Sequence, residues 1–150
     1  DDVLHNWEQI KRAEPEHEER KSVLDGVPKS LPALMRAAKI SKKAARTGFD
    51  WPEVGAIIEK LHEETAELEE AVAKGDKSQV RSEIGDLLFT IVNIARFEGI
   101  DPEEALTEML GRFTMRFNRI ESEAAERGRD ISDMTLEEMD AIWNEAKRKD

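Results

Sequence analysis

The stretch 54–98, VGAIIEKLHEETAELEEAVAKGDKSQVRSEIGDLLFTIVNIARFE, decides the fold. Its first half repeats Val54, Ile58, Leu61, Thr65, Leu68 and Val72 at steps of three and four, which predicts an amphipathic helix with that stripe inward. Lys74-Gly75-Asp76 ends it. A second helix is predicted over about 77–98. There Leu87, Leu88, Ile91, Val92, Ile94 and Ala95 cover most of the circumference, and Phe89 and Phe97 fill much of the remainder. A helix apolar nearly all round is expected to be buried, and so short a connection makes the two helices antiparallel neighbours.

One narrow polar stripe interrupts the second helix. Glu83, Asp86, Thr90 and Asn93 fall within about 80° of one another at about 100° per residue. Buried carboxylates are costly unless paired or bound to metal, so the stripe asks for a partner. The preceding helix offers Glu64 and Glu67, again an i, i+3 pair with Cβ atoms roughly 5–6 Å apart. In an antiparallel hairpin the two pairs meet at similar height. Four carboxylates around one point repel unless a cation sits among them, and hard oxygen donors suit Mg²⁺ or Mn²⁺. The run ETAELEEAV alone would fit a solvated helix face; the acids in a greasy helix are what favour a metal.

The other segments read as helix too. Ser30 is placed as N-cap of a helix over about 31–46, with Leu34, Ala38 and Ala45 on one side. Asp50 and Pro52 are expected to open the 54–72 helix. Asp101-Pro102 opens a helix ending near Gly128 and carrying Ala105, Met109, Phe113, Phe117 and Ile120 inward. Thr135-Leu136-Glu137-Glu138 is a capping-box pattern for a last helix to about Lys147. Residues 1–25, with Leu4, Trp7 and Ile10 on one apolar edge, read as a short linker-like leading segment before a domain over 26–150. The expected class is all-α.

Composition agrees and excludes alternatives. Of 150 residues, 39% are hydrophobic and 38% charged, with 8 Gly and no Tyr, a balance that favours helix in one domain. A net charge of −11 argues against a nucleic-acid polymer as partner. Zero Cys excludes disulfides and thiolate chemistry. No apolar run approaches the ~18 residues of a membrane span, so the chain is expected to be cytoplasmic and away from membranes. His5, His17 and His62 are too scattered for a zinc site. Arg112 and Arg116, four apart among core residues, could grip phosphate oxygens as guanidinium forks.

KLHEETAELEEAV, EIGDLLFTIVNIAR, GIDPEEAL and RFTMRFNRIE together resemble the MazG-type nucleoside triphosphate pyrophosphohydrolases. The resemblance extends upstream through SLPALMRAAKISKKAARTGFDWP and downstream through LEEMDAIWNEAKR, from about Trp7 to Arg148. The family's Glu-Glu-x-x-Glu and Glu-x-x-Asp are met by Glu63, Glu64, Glu67, Glu83 and Asp86. The resemblance implies Mg²⁺ (or Mn²⁺) held by Glu64, Glu67, Glu83 and Asp86. It also implies nucleotide contacts from Lys60, Arg112 and Arg116, and an aromatic near the base at Trp143. Asp86 and Asn93 join the expected substrate-binding set. The implied fold is a four-helix-bundle-like unit with extra N- and C-terminal helices, working as a homodimer. Longer members carry two tandem copies, and this chain looks like the second. Two positions depart: Leu110-Gly111-Arg112-Phe113 stands where the family has Asn-x-Lys-Phe, and Met115 replaces an Arg.

The implied reaction is Mg²⁺-dependent hydrolysis of a nucleoside triphosphate to monophosphate and pyrophosphate, with Glu63 as one choice of proton acceptor and a metal-ligating acid as the other. Two alternatives predict different outcomes: a non-catalytic dimerisation or regulatory module would show no metal-dependent turnover, and a related hydrolase would act on a phosphoribosyl-nucleotide.

Overall fold

The computed structural model describes residues 21–150; the leading segment up to residue 20, with Leu4, Trp7, Ile10, His5 and His17, lies outside them. The described residues form five α-helices and one 3-10 turn, with no strand: α1 (Ala33–Arg46), α2 (Val54–Lys74), α3 (Lys77–Phe97), α4 (Pro102–Glu126), the turn Ile131–Asp133, and α5 (Leu136–Arg148). The all-α expectation holds. The chain divides into two compact units, one reaching to Glu103 and the other Glu104–Asp150.

In the first unit α2 and α3 form a hairpin, and α1 packs against α3. The corner is made by Gly75 and Asp76. Gly75 takes a left-handed conformation, φ 67° and ψ 20°, open to a residue without Cβ at little cost. Asp76 then caps α3, its Oδ1 accepting from the Gln79 N–H at 3.1 Å. Two of the expected caps are corrected. α1 starts after Pro32, not at Ser30, with no side-chain cap. Leu31 precedes a proline, which bars it from the helical region, so the helix cannot begin sooner. At α2 the cap position is Glu53, and Asp50 is engaged elsewhere, by Arg96.

The buried faces also differ from the expected ones. Along α2 the buried line is Ile57, Glu64 and Ala71, rotated roughly 80° from the stripe read in the sequence. Ile58 is 38% and Val72 60% exposed. α3 is not buried all round. Its inward residues are Glu83, Thr90, Val92 and Asn93, whereas Ile84, Leu88, Phe89 and Ile91 stay 43–50% exposed. α1 and α2 pack on the polar side of α3, and this turns much of its apolar surface outward.

The second unit has its own small core. Ile120 and Ala124 of α4, Met134, and Ile142 of α5 are buried, with Ile131, Met139 and Trp143 packed against them. Phe113 and Phe117, expected inward, are 49% and 38% exposed. Their rings stack on each other at 6.2 Å, and Phe113 meets Trp143 at 5.1 Å. The predicted capping box is present, with the Glu138 N–H donating to Thr135 Oγ1 at 3.1 Å and Glu138 Oε1 accepting from the Thr135 N–H at 3.3 Å. Thr135→Ala is expected to cost about 1 kcal/mol, read as a lower urea midpoint; an unchanged midpoint would show that the cap contributes nothing.

Candidate active site

The hairpin brings Glu64, Glu83 and Asp86 together. One carboxylate oxygen from each lies within 4.8 Å of the others. Glu64 and Glu83 are buried, at 5% and 7% exposure, and Asp86 is exposed. The pairing follows from the corner, because α2 and α3 run back along each other and place an acid of each helix at the same height. Glu67 is half-buried and stands outside that tight set, yet its charge reaches Glu83.

The electrostatics of the group are lopsided. Glu64 is held below the ordinary carboxylate range, first by its hydrogen bond with Glu83 and then by Lys60. Lys60 bridges to Glu64 at 3.0 Å and to Glu63 at 3.5 Å. Glu83 is pushed up to about 7 by the same Glu64 contact, by burial, and by the charges of Glu64, Glu67 and Asp86. The acids therefore share a proton when nothing else neutralises them. Once both are ionised, Glu64 Oε2 and Glu83 Oε2 are buried with no donor to bond, a state that costs free energy unless a cation takes the proton's place. An oxygen-only donor set with two orphaned buried oxygens fits a hard divalent ion such as Mg²⁺.

A cavity of about 730 Å³ adjoins the acids, with Lys60, Glu64 and Asp86 in its lining. Further along, the lining includes Phe49, Trp51, Ser41, Asn93 and Arg96. Arg96 forks onto Asp50 at 3.0 and 2.5 Å, and that hydrogen-bonded pair holds Asp50 below its ordinary range. Sequence reading found Asn93 but missed Ser41, Asp50 and Arg96. Each is an ordinary surface residue type, and their partners lie 46 to 55 residues away, beyond any local spacing rule.

The remaining expected residues belong to the second unit. Arg116 is buried, donates from Nε and Nη2 to Asp150 Oδ2 at 2.8 and 2.5 Å, and lies over the Trp143 ring at 5.4 Å. Its guanidinium thus already holds an anionic oxygen. Arg112 is exposed, with Met109 Sδ 3.5 Å away.

Residues 53–121 match the family described as MazG nucleotide pyrophosphohydrolase domain. Over 151 aligned residues the chain is 42% identical to the nucleoside triphosphate pyrophosphohydrolase of Escherichia coli (strain K12), covering 99% of this chain and 57% of that protein. It is 36% identical over 144 residues to the nucleoside triphosphate pyrophosphohydrolase/pyrophosphatase MazG of Thermotoga maritima, covering 96% and 55%. With the uncharacterized protein YabN of Bacillus subtilis (strain 168) it shares 50% over 147 residues, 97% of this chain and 30% of that one. The chain therefore spans just over half the length of the Escherichia and Thermotoga proteins.

Proposed function

We propose, from the match of residues 53–121 to the MazG nucleotide pyrophosphohydrolase domain and the similarity to nucleoside triphosphate pyrophosphohydrolases, that this chain hydrolyses nucleoside triphosphates between the α- and β-phosphates, releasing monophosphate and pyrophosphate. The observation that carries the reading is the pair of orphaned buried oxygens on Glu64 and Glu83, with Glu64 itself lining a nucleotide-sized cavity. Glu64, Glu83 and Asp86, with Glu67 beside them, would hold Mg²⁺ or Mn²⁺. Such an ion, when bound, neutralises phosphate charge and lowers the pKa of a water.

The chain's own groups do the rest. Lys60, tethered to Glu64 at the cavity wall, donates to phosphate oxygens and offsets charge on the leaving pyrophosphate. Glu63 shares Lys60 with Glu64 and is largely exposed; it is one acceptor for the proton of the attacking water, a metal-ligating acid being the other. Arg112 and Arg116 are further phosphate-binding groups in this reading. The apolar residues left exposed on α3 and on α4 favour a homodimer that covers them. No helix among the described residues is long and apolar enough to cross a membrane, and the reading puts the reaction in the cytoplasm. The catalytic domain is 26–150, following a leading segment over 1–25.

The test is product identification with α-labelled nucleoside triphosphates and a Mg²⁺ titration. Labelled monophosphate with one pyrophosphate per turnover, lost on chelation, is the expected result. Orthophosphate release, no turnover, or activity confined to a phosphoribosyl-nucleotide would overturn it.

A further inference from the structure

The far wall of the 730 Å³ cavity is a hydrogen-bonded circuit whose proton positions follow from the chemistry of its members. Arg96 carries only donors. It gives Nε to Ser41 Oγ at 2.8 Å and Nη2 to Asn93 Oδ1 at 3.2 Å. Having accepted from Arg96, Ser41 turns its own proton to Asn93 Oδ1 at 2.6 Å. Two donors on one side fix the amide with its oxygen there and its nitrogen away. One N–H of Nδ2 then goes to Phe89 O at 3.1 Å. Asp50 holds the guanidinium from behind with its two oxygens. The circuit leaves Asn93, a buried residue of the cavity lining, with one N–H unused and no accepting capacity to offer.

The same cavity carries the rings of Phe49, Trp51 and Phe89, and Phe49 is 84% exposed. Aromatic faces beside a single fixed donor suit a flat heterocycle with an acceptor on its edge. We propose that this end of the cavity holds the nucleoside half of the substrate, and that Asn93, fixed by Ser41 and Arg96, donates to a keto oxygen of the base. The proposal rests on the nucleoside triphosphate reading, in which the triphosphate occupies the end lined by Lys60, Glu64 and Asp86. Asn93 reads the base; Ser41 and Arg96 are positioning residues. A base with an amino group at that place leaves the buried N–H facing another donor, the kind of mismatch that discriminates strongly.

Two nucleotide pairs differ by a keto-to-amino exchange, UTP with CTP and ITP with ATP. The wild-type protein is expected to favour the keto member of at least one pair by about tenfold or more in kcat/KM. Asn93→Ala raises KM for that keto nucleotide about tenfold, with a far smaller change for its amino partner. Arg96→Met releases the amide to turn its oxygen outward, and the preference falls to about twofold or less. Ser41→Ala, which keeps the Arg96–Asp50 pair, lowers the preference by a smaller factor. Calorimetric binding of UMP against CMP and of IMP against AMP reads the same ranking without turnover. No keto preference in the wild type, or an equal loss for every base in the variants, overturns the proposal. Base-selective monophosphate binding without pyrophosphate release would instead sink the hydrolase reading and leave the base pocket standing.

Discussion

Replacing Glu83 by Gln is expected to lower kcat by about a thousandfold or more while raising the melting temperature of the metal-free protein at pH 8. Gln keeps the shape of the side chain and a donor toward Glu64, so the loss of activity isolates the missing negative charge. The stability effect follows from proton linkage. The Glu83 carboxyl titrates near 7 in the fold against an ordinary value of 4.5. A raised folded pKa means that the folded state binds the proton more tightly. The stabilisation from that proton is complete below about 4.5 and is lost as pH rises through about 7. At pH 8 the ionised group sits among Glu64, Glu67 and Asp86 and works against the fold; Gln removes that repulsion. At pH 4 the wild-type group is mostly protonated in both states, so the two proteins should melt at nearly the same temperature. Melts at both pH values, followed by circular dichroism, check this. A variant that keeps wild-type turnover, or melts lower at pH 8, contradicts it.

Divalent cation affinity is expected to rise about tenfold per pH unit between pH 5 and 7 and to level off above that range. The cause is the same proton: a cation can use both oxygens of Glu83 only after it leaves. Glu64, held below its ordinary range by Glu83 and Lys60, is already ionised across this interval and adds no slope. Calorimetric titration with Mn²⁺ at several pH values measures the slope, and Glu83→Gln should flatten it. Affinity independent of pH in the wild type would mean that the ion binds elsewhere.

Helix boundaries were legible where a single residue dictates backbone geometry. Gly75, Asp76, Pro102 and Thr135 act locally, and each stands where the sequence puts it. Ser30 and Asp50 failed as caps because a neighbour intervened, Pro32 in one case and Arg96 in the other. The acidic group was legible because its spacing is that of one helix turn repeated on two joined helices. The buried faces were not legible. Periodicity equates apolar with inward, whereas here the inward side of α3 carries Glu83, Thr90 and Asn93, which face a cavity and a charge cluster. Ser41, Asp50 and Arg96 escaped because their meaning lies in contacts between distant segments.

The tight corner at Gly75 has a further consequence for how the molecule forms. Glu64 and Asp86 are near one another along the polypeptide, so their encounter closes only a short loop, while the Ser41–Arg96 contact closes a much longer one. Mutual repulsion is thus expected to be met early in collapse, before the more distant contact has formed. Added salt or a divalent cation is therefore expected to act on the nascent hairpin itself as well as on the folded protein.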